Sequence, residues 1–393
     1  MRAAFPLIIA GLSMLGPFTV DTIFPGFAAI QRDFGVGPEA TQQLVSAYLL
    51  AFAAMSAFHG PLSDALGRRP VIMGGLGLYA VASVGAALST SMSMLIGFRI
   101  LQGLCAGASV IVSRTLVVDL YSGAEAQRLM SRVTMIFGVA PAIAPIVGGW
   151  LMWLGPWPLM FWFLAGFALL LIGASLILPE THPPSRRTPL RVGALVHGLV
   201  TVLCDPAFLR LGMVGAFGFA AFFTWIGAAA IFVVDLLGLG ETDFWVLFVP
   251  MIGAIIGGSW LNGRTAGSTQ RDTLITRSLS FAVAMGVLNL GLTLWGPTAR
   301  LPYVVIGPAL IALGVMVVYP TIQIMLLEMY PTQRGAASSV ATVLALVLNA
   351  VVAGAVAPLI TRSLWLMATC GLLMATLALA TWVAHRRLSD SVS

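Results

Sequence analysis

Twelve long apolar runs fill most of this 393-residue chain, at roughly 4–27, 42–62, 71–89, 93–117, 131–153, 158–178, 208–234, 244–262, 275–296, 302–326, 336–360 and 363–384. Each approaches the about 20 residues that a helix needs to cross the hydrocarbon core of a bilayer. No water reaches that core, so each run must close its backbone hydrogen bonds within itself, as an α-helix. The pattern predicts an all-α membrane protein of twelve transmembrane helices. Composition points the same way: 59% of residues are hydrophobic and 9% charged, where a soluble domain carries about 25% charged residues. The net charge of +6 is then arginine anchoring of loops rather than a nucleic-acid footprint.

The longest polar interval, 179–207, separates six runs from six. It predicts an N-terminal six-helix bundle over 1–180, a cytoplasmic linker over 181–207 and a C-terminal six-helix bundle over 208–393. No other loop has room for a soluble domain, so the chain works within the membrane. The first run is too long for a signal peptide, and no cleavage site with small residues precedes a soluble domain. Orientation follows from the basic residues, all of them Arg. With both termini inside, fifteen fall in inner loops and tails, three outside (Arg32, Arg300 and Arg362) and two within a span, Arg99 and Arg114; the positive-inside rule then places both termini in the cytoplasm. Cys105, Cys204 and Cys370 lack metal-ligand spacing, and neither a P-loop nor a catalytic set is present. The sequence therefore predicts no metal, no cofactor and no enzymatic activity.

An ionisable residue inside a span is costly and marks a candidate functional site. Asp21 lies late in the first run and Arg99 in the fourth. A carboxyl in apolar surroundings is a candidate to bind and release a proton; the plainer reading is a structural acid near the outer interface. An arginine stays charged and must find an acid, carbonyl oxygens or water. Asp21 and Arg99 are expected to face each other, either as a buried structural pair or as a pair broken by protonation. Arg114 suits a headgroup anchor whose stem snorkels. Gly60-x-x-x-Asp64-x-x-Gly67-Arg68-Arg69 lies between the second and third runs. Its two glycines, with Pro61 and Pro70, suit a tight turn. Asp119, at the inner end of the fourth run, is expected close to it. In the fifth run Gly138, Ala142, Pro145 and Gly149 recur at intervals of three or four, a small-residue face that permits close helix approach, with Pro141 and Pro145 loosening the helix. Gly148 flanks that face.

The Gly60–Arg69 pattern resembles the loop between the second and third helices of major facilitator superfamily transporters. Arg99-x-x-Gln102-Gly103 resembles the fourth-helix motif of the antiporters of that superfamily. The run Gly138–Gly149 resembles the fifth-helix motif of its exporters, with Ala144 where a Gly is usual. With Val20-Asp21-Thr22-Ile23-Phe24-Pro25, Leu178-Pro179-Glu180-Thr181 and Gln333-Arg334-Gly335-Ala336-Ala337-Ser338-Ser339, the set resembles the Bcr/CflA group of drug:proton antiporters. The resemblance implies the major facilitator fold, two pseudo-symmetric six-helix bundles, and export of small amphipathic drugs or metabolites from the bacterial inner membrane in exchange for protons, by a monomer without nucleic-acid partners. It implies proton coupling at Asp21 and Arg99. It also implies a cytoplasmic gate of Gly60, Asp64, Gly67, Arg68, Arg69 and Asp119. A proton-coupled importer of the same fold is the alternative, and the glycine–proline run argues against it.

A cavity for varied amphipathic ligands wants aromatic and Met walls with a few polar groups. Candidates are Tyr48, Gln102, Met135, Phe222, Phe223, Trp225, Tyr319, Gln323 and Asn349. Between the eighth and ninth runs, Gly258-x-x-x-Asn262-Gly263-Arg264 stands where an internal repeat would place a second copy of the Gly60 motif, its acid replaced by Asn262. Two related six-span halves would fit such a parallel repeat.

Overall fold

The computed structural model describes residues 5–187, 192–229, 231–239, 245–352, 356–360 and 362–390. Fifteen α-helices are present among them, with no strand. In the first half these are α1 Phe5–Asp21, α2 Phe27–Phe34, α3 Pro38–Leu66, α4 Arg68–Ala87, α5 Met92–Leu120, α6 Gly123–Leu154 and α7 Pro158–Ser175. The linker holds α8 Val192–Leu203. The second half holds α9 Pro206–Gly227, α10 Trp245–Thr265, α11 Arg271–Leu294, α12 Tyr303–Met329, α13 Arg334–Val351, α14 Ala357–Ile360 and α15 Leu364–Asp390.

Ten helical segments are long and apolar enough to cross a membrane. The two pieces of α6, Gly123–Ala140 and Ile143–Leu154, make an eleventh, and Arg334–Asn349 of α13 is a shorter apolar helix. These account for the twelve expected spans. The end of the expected eleventh run passes through 353–355, outside the described residues.

Two local expectations change. The first run does not continue to residue 27: α1 stops at Asp21, and a short 3-10 turn, Phe24–Gly26, leads into α2. Pro25 sits at the start of that turn, where a proline's missing N–H costs nothing. The Gly60–Pro70 stretch, expected as a loop, is almost wholly helical. α3 runs through Pro61 to Leu66 and α4 begins at Arg68, so Gly67 alone separates them. At 29 residues, α3 is about 43 Å long, more than the roughly 30 Å hydrocarbon core. Its end therefore reaches polar surroundings before the chain reverses. Gly67 makes the reversal at φ +100, a conformation that a Cβ would strain.

The helices group into two compact units. Unit 1 comprises Met1–Tyr121, Val139–Val202 and Tyr330–Thr342; unit 2 comprises Ser122–Gly138, Leu203–Met329 and Val343–Ser393. Most of each sequence half lies in one unit, but the start of α6 packs in unit 2 and the start of α13 in unit 1. Inside unit 1, α5 packs on α1, α3 and α4, while α7 packs on α4 and α1. Inside unit 2, α12 packs on α9, α10 and α11, while α15 packs on α11 and α9. One plan is used twice, six spans apart, as a parallel repeat requires.

Each unit buries its own apolar centre. Ile9, Leu12, Leu76, Ile111, Phe161 and Leu164 fill unit 1; Phe222, Trp225, Met251, Ile311 and Met367 fill unit 2. Large apolar side chains such as Leu50, Leu78, Trp153, Leu170 and Leu373 are exposed. In water that would be a liability; against lipid tails, as apolar as leucine, it is the expected surface.

Candidate functional site

Unit 1 carries two polar centres. The first surrounds Arg99, fully buried on α5. Its Nε donates to the Leu44 carbonyl of α3 at 3.0 Å, and Nη1 donates to the Thr19 carbonyl of α1 at 3.1 Å and to Gln102 Oε1 at 3.0 Å. The guanidinium lies 4.6 Å from the centre of the Tyr48 ring, within cation–π range. Gln102 passes the network on, donating to Ser83 Oγ of α4 at 2.7 Å. Thr19 Oγ1 and the Tyr79 hydroxyl meet at 2.6 Å. One arginine thus ties four helices together.

The chemistry of that tie explains a departure from expectation. No ion pair joins Asp21 and Arg99; the charge rests on carbonyl oxygens and a ring instead. Because α1 stops at Asp21, Thr19 carries one of its last four carbonyls, which have no helical donor. They are also the negative end of the helix dipole. An orphan acceptor at a negative helix end is a ready partner for a buried cation. Arg99 Nη2 and Thr22 Oγ1 remain without a hydrogen-bond partner among the described residues. Asp21 is half-buried, two residues beyond the carbonyl that Arg99 holds.

The second centre surrounds Gly67. Arg68, 1% exposed, donates from Nη1 to Asp64 Oδ1 at 2.5 Å and to Ser63 Oγ at 2.7 Å, and from Nε to Asp119 Oδ2 at 3.1 Å. Asp119 also accepts from Arg334 Nη1 at 2.8 Å and from Thr181 Oγ1 at 2.9 Å. Asp64 accepts from the backbone N–H of Gly335 at 3.2 Å and of Ala336 at 3.0 Å. These are amides of the first turn of α13, which lack intrahelical acceptors; Asp64 therefore caps α13 from α3. Gly60 makes the approach possible, since a Cβ there would collide with the Gly335 carbonyl. Its own N–H donates to Ser339 Oγ at 3.0 Å.

Glu180 plays the matching part for α4. Its Oε1 accepts from Arg68 N at 3.0 Å and His182 N at 2.8 Å, and Oε2 from Arg69 N at 3.2 Å. Arg69 joins this centre through its backbone, and no ion pair of its side chain is present among the described residues. His182 is buried, and burial together with the nearby Arg68 guanidinium holds its imidazole below the usual histidine range. Glu180, Thr181, Arg334 and Ser339 were not singled out as site residues from sequence. The signal available was their place in Leu178-Pro179-Glu180-Thr181 and Gln333–Ser339.

The fifth-span motif is used unevenly. A Cβ at Gly148 would strike the Thr22 carbonyl, just past the end of α1, and one at Gly138 would strike Ile255 of α10. Gly149, expected on the contact face, has nothing within 4 Å, so the close approaches run through its neighbour and the earlier glycine. Pro145 is half-buried; the Pro141 side chain lies outside the described residues.

The cavity candidates fall into separate environments. Tyr48 and Gln102 belong to the Arg99 centre. Phe222 and Trp225 sit in the unit 2 core, where Trp225 fills the space left by the missing Cβ of Gly371. Phe223 and Tyr319 are half-buried and both meet Phe219, at centroid distances of 5.9 and 5.7 Å. Gln323 is buried on α12; Met135 and Asn349 are half-buried, the Asn349 Oδ1 without a hydrogen-bond partner among the described residues.

Known proteins share this layout. The chain is 29% identical over 284 residues to a bicyclomycin resistance protein homolog of Haemophilus influenzae, covering 72% of this chain and 71% of the relative. It is 28% identical over 336 residues to multidrug resistance protein D of Escherichia coli K12, covering 85% and 83%. The human organic anion transporter MFSD10 superposes with a TM-score of 0.73 over 97% of each chain at 19% identity, a likeness of fold. Helix content, the doubled packing plan and a match of residues 8–353 to the Major Facilitator Superfamily agree: the chain is a multi-span membrane transporter belonging to that superfamily.

Proposed function

We propose that this transporter exports small amphipathic drugs or metabolites across a bacterial inner membrane in exchange for protons, as a monomer with both termini in the cytoplasm. The observation that carries the reading is a half-buried acid at the end of α1, the helix whose carbonyl a buried, incompletely bonded arginine holds. Asp21 closes α1, Arg99 holds a carbonyl two residues earlier, and Arg99 Nη2 is spare. Asp21 is the proton carrier and Arg99 its fixed counter-charge: the carboxylate turns toward the spare N–H when charged and is released when protonated. Substrate and proton then compete for the same charge balance. Relatives named for bicyclomycin and multidrug resistance support an outward direction and a drug-like substrate, and the inner excess of arginine supports the orientation. The Asp64–Arg68–Asp119 centre, with the first turn of α13, is the cytoplasmic gate in this reading.

The test measures proton release from purified protein in detergent on adding lipophilic cations such as ethidium and neutral antibiotics such as chloramphenicol. Wild type should release protons and Asp21→Asn should bind without release. Binding with no proton change in wild type would overturn Asp21 as the carrier.

A further inference from the structure

The Gly258–Arg264 stretch reads as a worn second copy of the Gly60 motif, but the structure gives Asn262 a full set of partners. Asn262 is 0% exposed near the end of α10. Its Oδ1 accepts from Ser131 Oγ of α6 at 2.5 Å; its Nδ2 donates to the Val317 carbonyl at 2.5 Å and to Thr321 Oγ1 at 2.7 Å, both on α12. Its backbone carbonyl accepts from Gln127 Nε2 at 3.4 Å and from Thr265 Oγ1 at 3.0 Å. Arg128 Nη2 donates to the Ala266 carbonyl at 3.3 Å. Gln127, Arg128 and Ser131 lie within one and a half turns of α6 and hold the last turn of α10. At Gly258 a Cβ would meet the Leu313 carbonyl at 2.5 Å, so the motif's first glycine again serves a close helix approach.

These contacts explain why the acid is absent. A buried amide supplies one acceptor and two donors, and all three are used. An aspartate would lose both donors and set a charge against the Val317 carbonyl, with no arginine in the place that Arg68 holds beside Asp64. A buried charge without a partner is strongly disfavoured, so the asparagine is what this position requires.

We infer that Asn262 and Ser131 form a second, uncharged latch, which fastens the start of α6 to α10 and α12 and releases in the transport cycle alongside the Asp64 centre. The inference rests on the proposed function, whose cytoplasmic gate at the Asp64 centre opens during transport: Ser131 comes from the first sequence half and Asn262 from the second, and both lie in unit 2. Asn262 keeps its two bonds to α12 when Ser131 leaves; the latch opens by breaking the Ser131 hydroxyl bond together with the flanking bonds from Gln127 and Arg128 to the Asn262 and Ala266 carbonyls. Ser131 and Asn262 are positioning residues; neither is assigned to substrate.

The test is hydrogen exchange on the purified full-length protein, which needs no substrate. Ser131→Ala should raise exchange in the α6 peptide 123–138 by about five- to tenfold, the loss of one neutral hydrogen bond, with α11 unchanged. Ser131→Thr should restore it. Asn262→Ala should do at least as much as Ser131→Ala, and the double variant no more than Asn262→Ala alone, because the two act through one bond. Unchanged exchange in Ser131→Ala, or fully additive effects of the two substitutions, would overturn the latch. Failure of proton release in the earlier experiment would overturn the coupling reading while leaving this result intact.

Discussion

Asp64→Asn changes one atom's chemistry at the cap of α13, and the structure sets the size of its effect. Asp64 is 2% exposed. Its Oδ1 has two donors, Arg68 Nη1 and Gly335 N–H, and Oδ2 has one, Ala336 N–H. The amide nitrogen does least harm in place of Oδ2, yet there it faces the Ala336 N–H, donor against donor. One bond is lost outright, a buried N–H goes unsatisfied at about 1–3 kcal/mol, and the remaining bonds fall from the charge-assisted range, about 1.5–3 kcal/mol, toward 1. A total near 3 kcal/mol is about a hundredfold in population. Amide exchange over 334–339 should accelerate by that factor in Asp64→Asn. Arg334→Gln serves as the internal comparison: the Arg334–Asp119 pair is 22% exposed on the arginine side, and a partly exposed pair contributes under about 1 kcal/mol, so its effect should stay within severalfold. If Asp64→Asn accelerates exchange no more than Arg334→Gln does, the cap is not what holds the first turn of α13.

Glu180→Gln should loosen the first turn of α4 by about 1 kcal/mol, through loss of a charged cap at a helix N-terminus. Faster exchange at Arg68 and Arg69 with an unchanged α5 is the expected signature. His182 adds a pH dependence. Its proton is disfavoured in the folded protein, whereas the unfolded chain takes it up at the ordinary histidine value of about 6.5. The unfolded state therefore binds more protons below that pH, and the stability is complete above it and lost as pH falls. Thermal stability should decline between pH 7 and 5.5 in wild type and decline less in His182→Gln.

How much of this was legible in the sequence depends on whether a partner lies along the chain or across it. Twelve spans follow from hydropathy alone because a bilayer admits only helices for such runs. The Asp64, Arg68 and Asp119 cluster was legible too, since acids and arginines at the end of adjoining spans have few other partners. Loop or helix at Pro61 was not: proline suggests a break, but a proline costs little where neighbouring groups satisfy the freed carbonyl, and the real break needed only the positive φ of Gly67. The partner of Arg99 was misjudged for a related reason. Charge was matched with charge, whereas the end of α1 supplied carbonyl oxygens that no side-chain pattern encodes. Trp225 looked like a cavity wall by residue type and proved to be filler against Gly371, because facing helices, not composition, decide which aromatic is covered. Glu180 needed the fold most of all: its donors are the N–H groups of residues more than a hundred positions away.

Two of the carboxylates at the Gly67 centre, Asp64 and Glu180, do the same physical work. A helix begins with amides that have no partner within it, and in α4 and α13 those amides are satisfied by a carboxylate from elsewhere in the chain, Glu180 for one and Asp64 for the other. A side chain in the residue just before the helix would cap as well, but such a cap moves with its helix. A cap supplied by another segment can be withdrawn without unfolding either helix, and at a membrane face water is available to replace it. The cost of withdrawal is then the difference between a charge-assisted bond and a hydrated one, far less than the cost of an orphaned amide in hydrocarbon. Asn262 completes the comparison. It reaches a hydroxyl on α6 and a helix side on α12 rather than a helix start, so it faces no positive helix end to reward a charge, and the neutral amide fits where the carboxylate of its counterpart would not. The charge at Asp64 and its absence at Asn262 follow from what each faces.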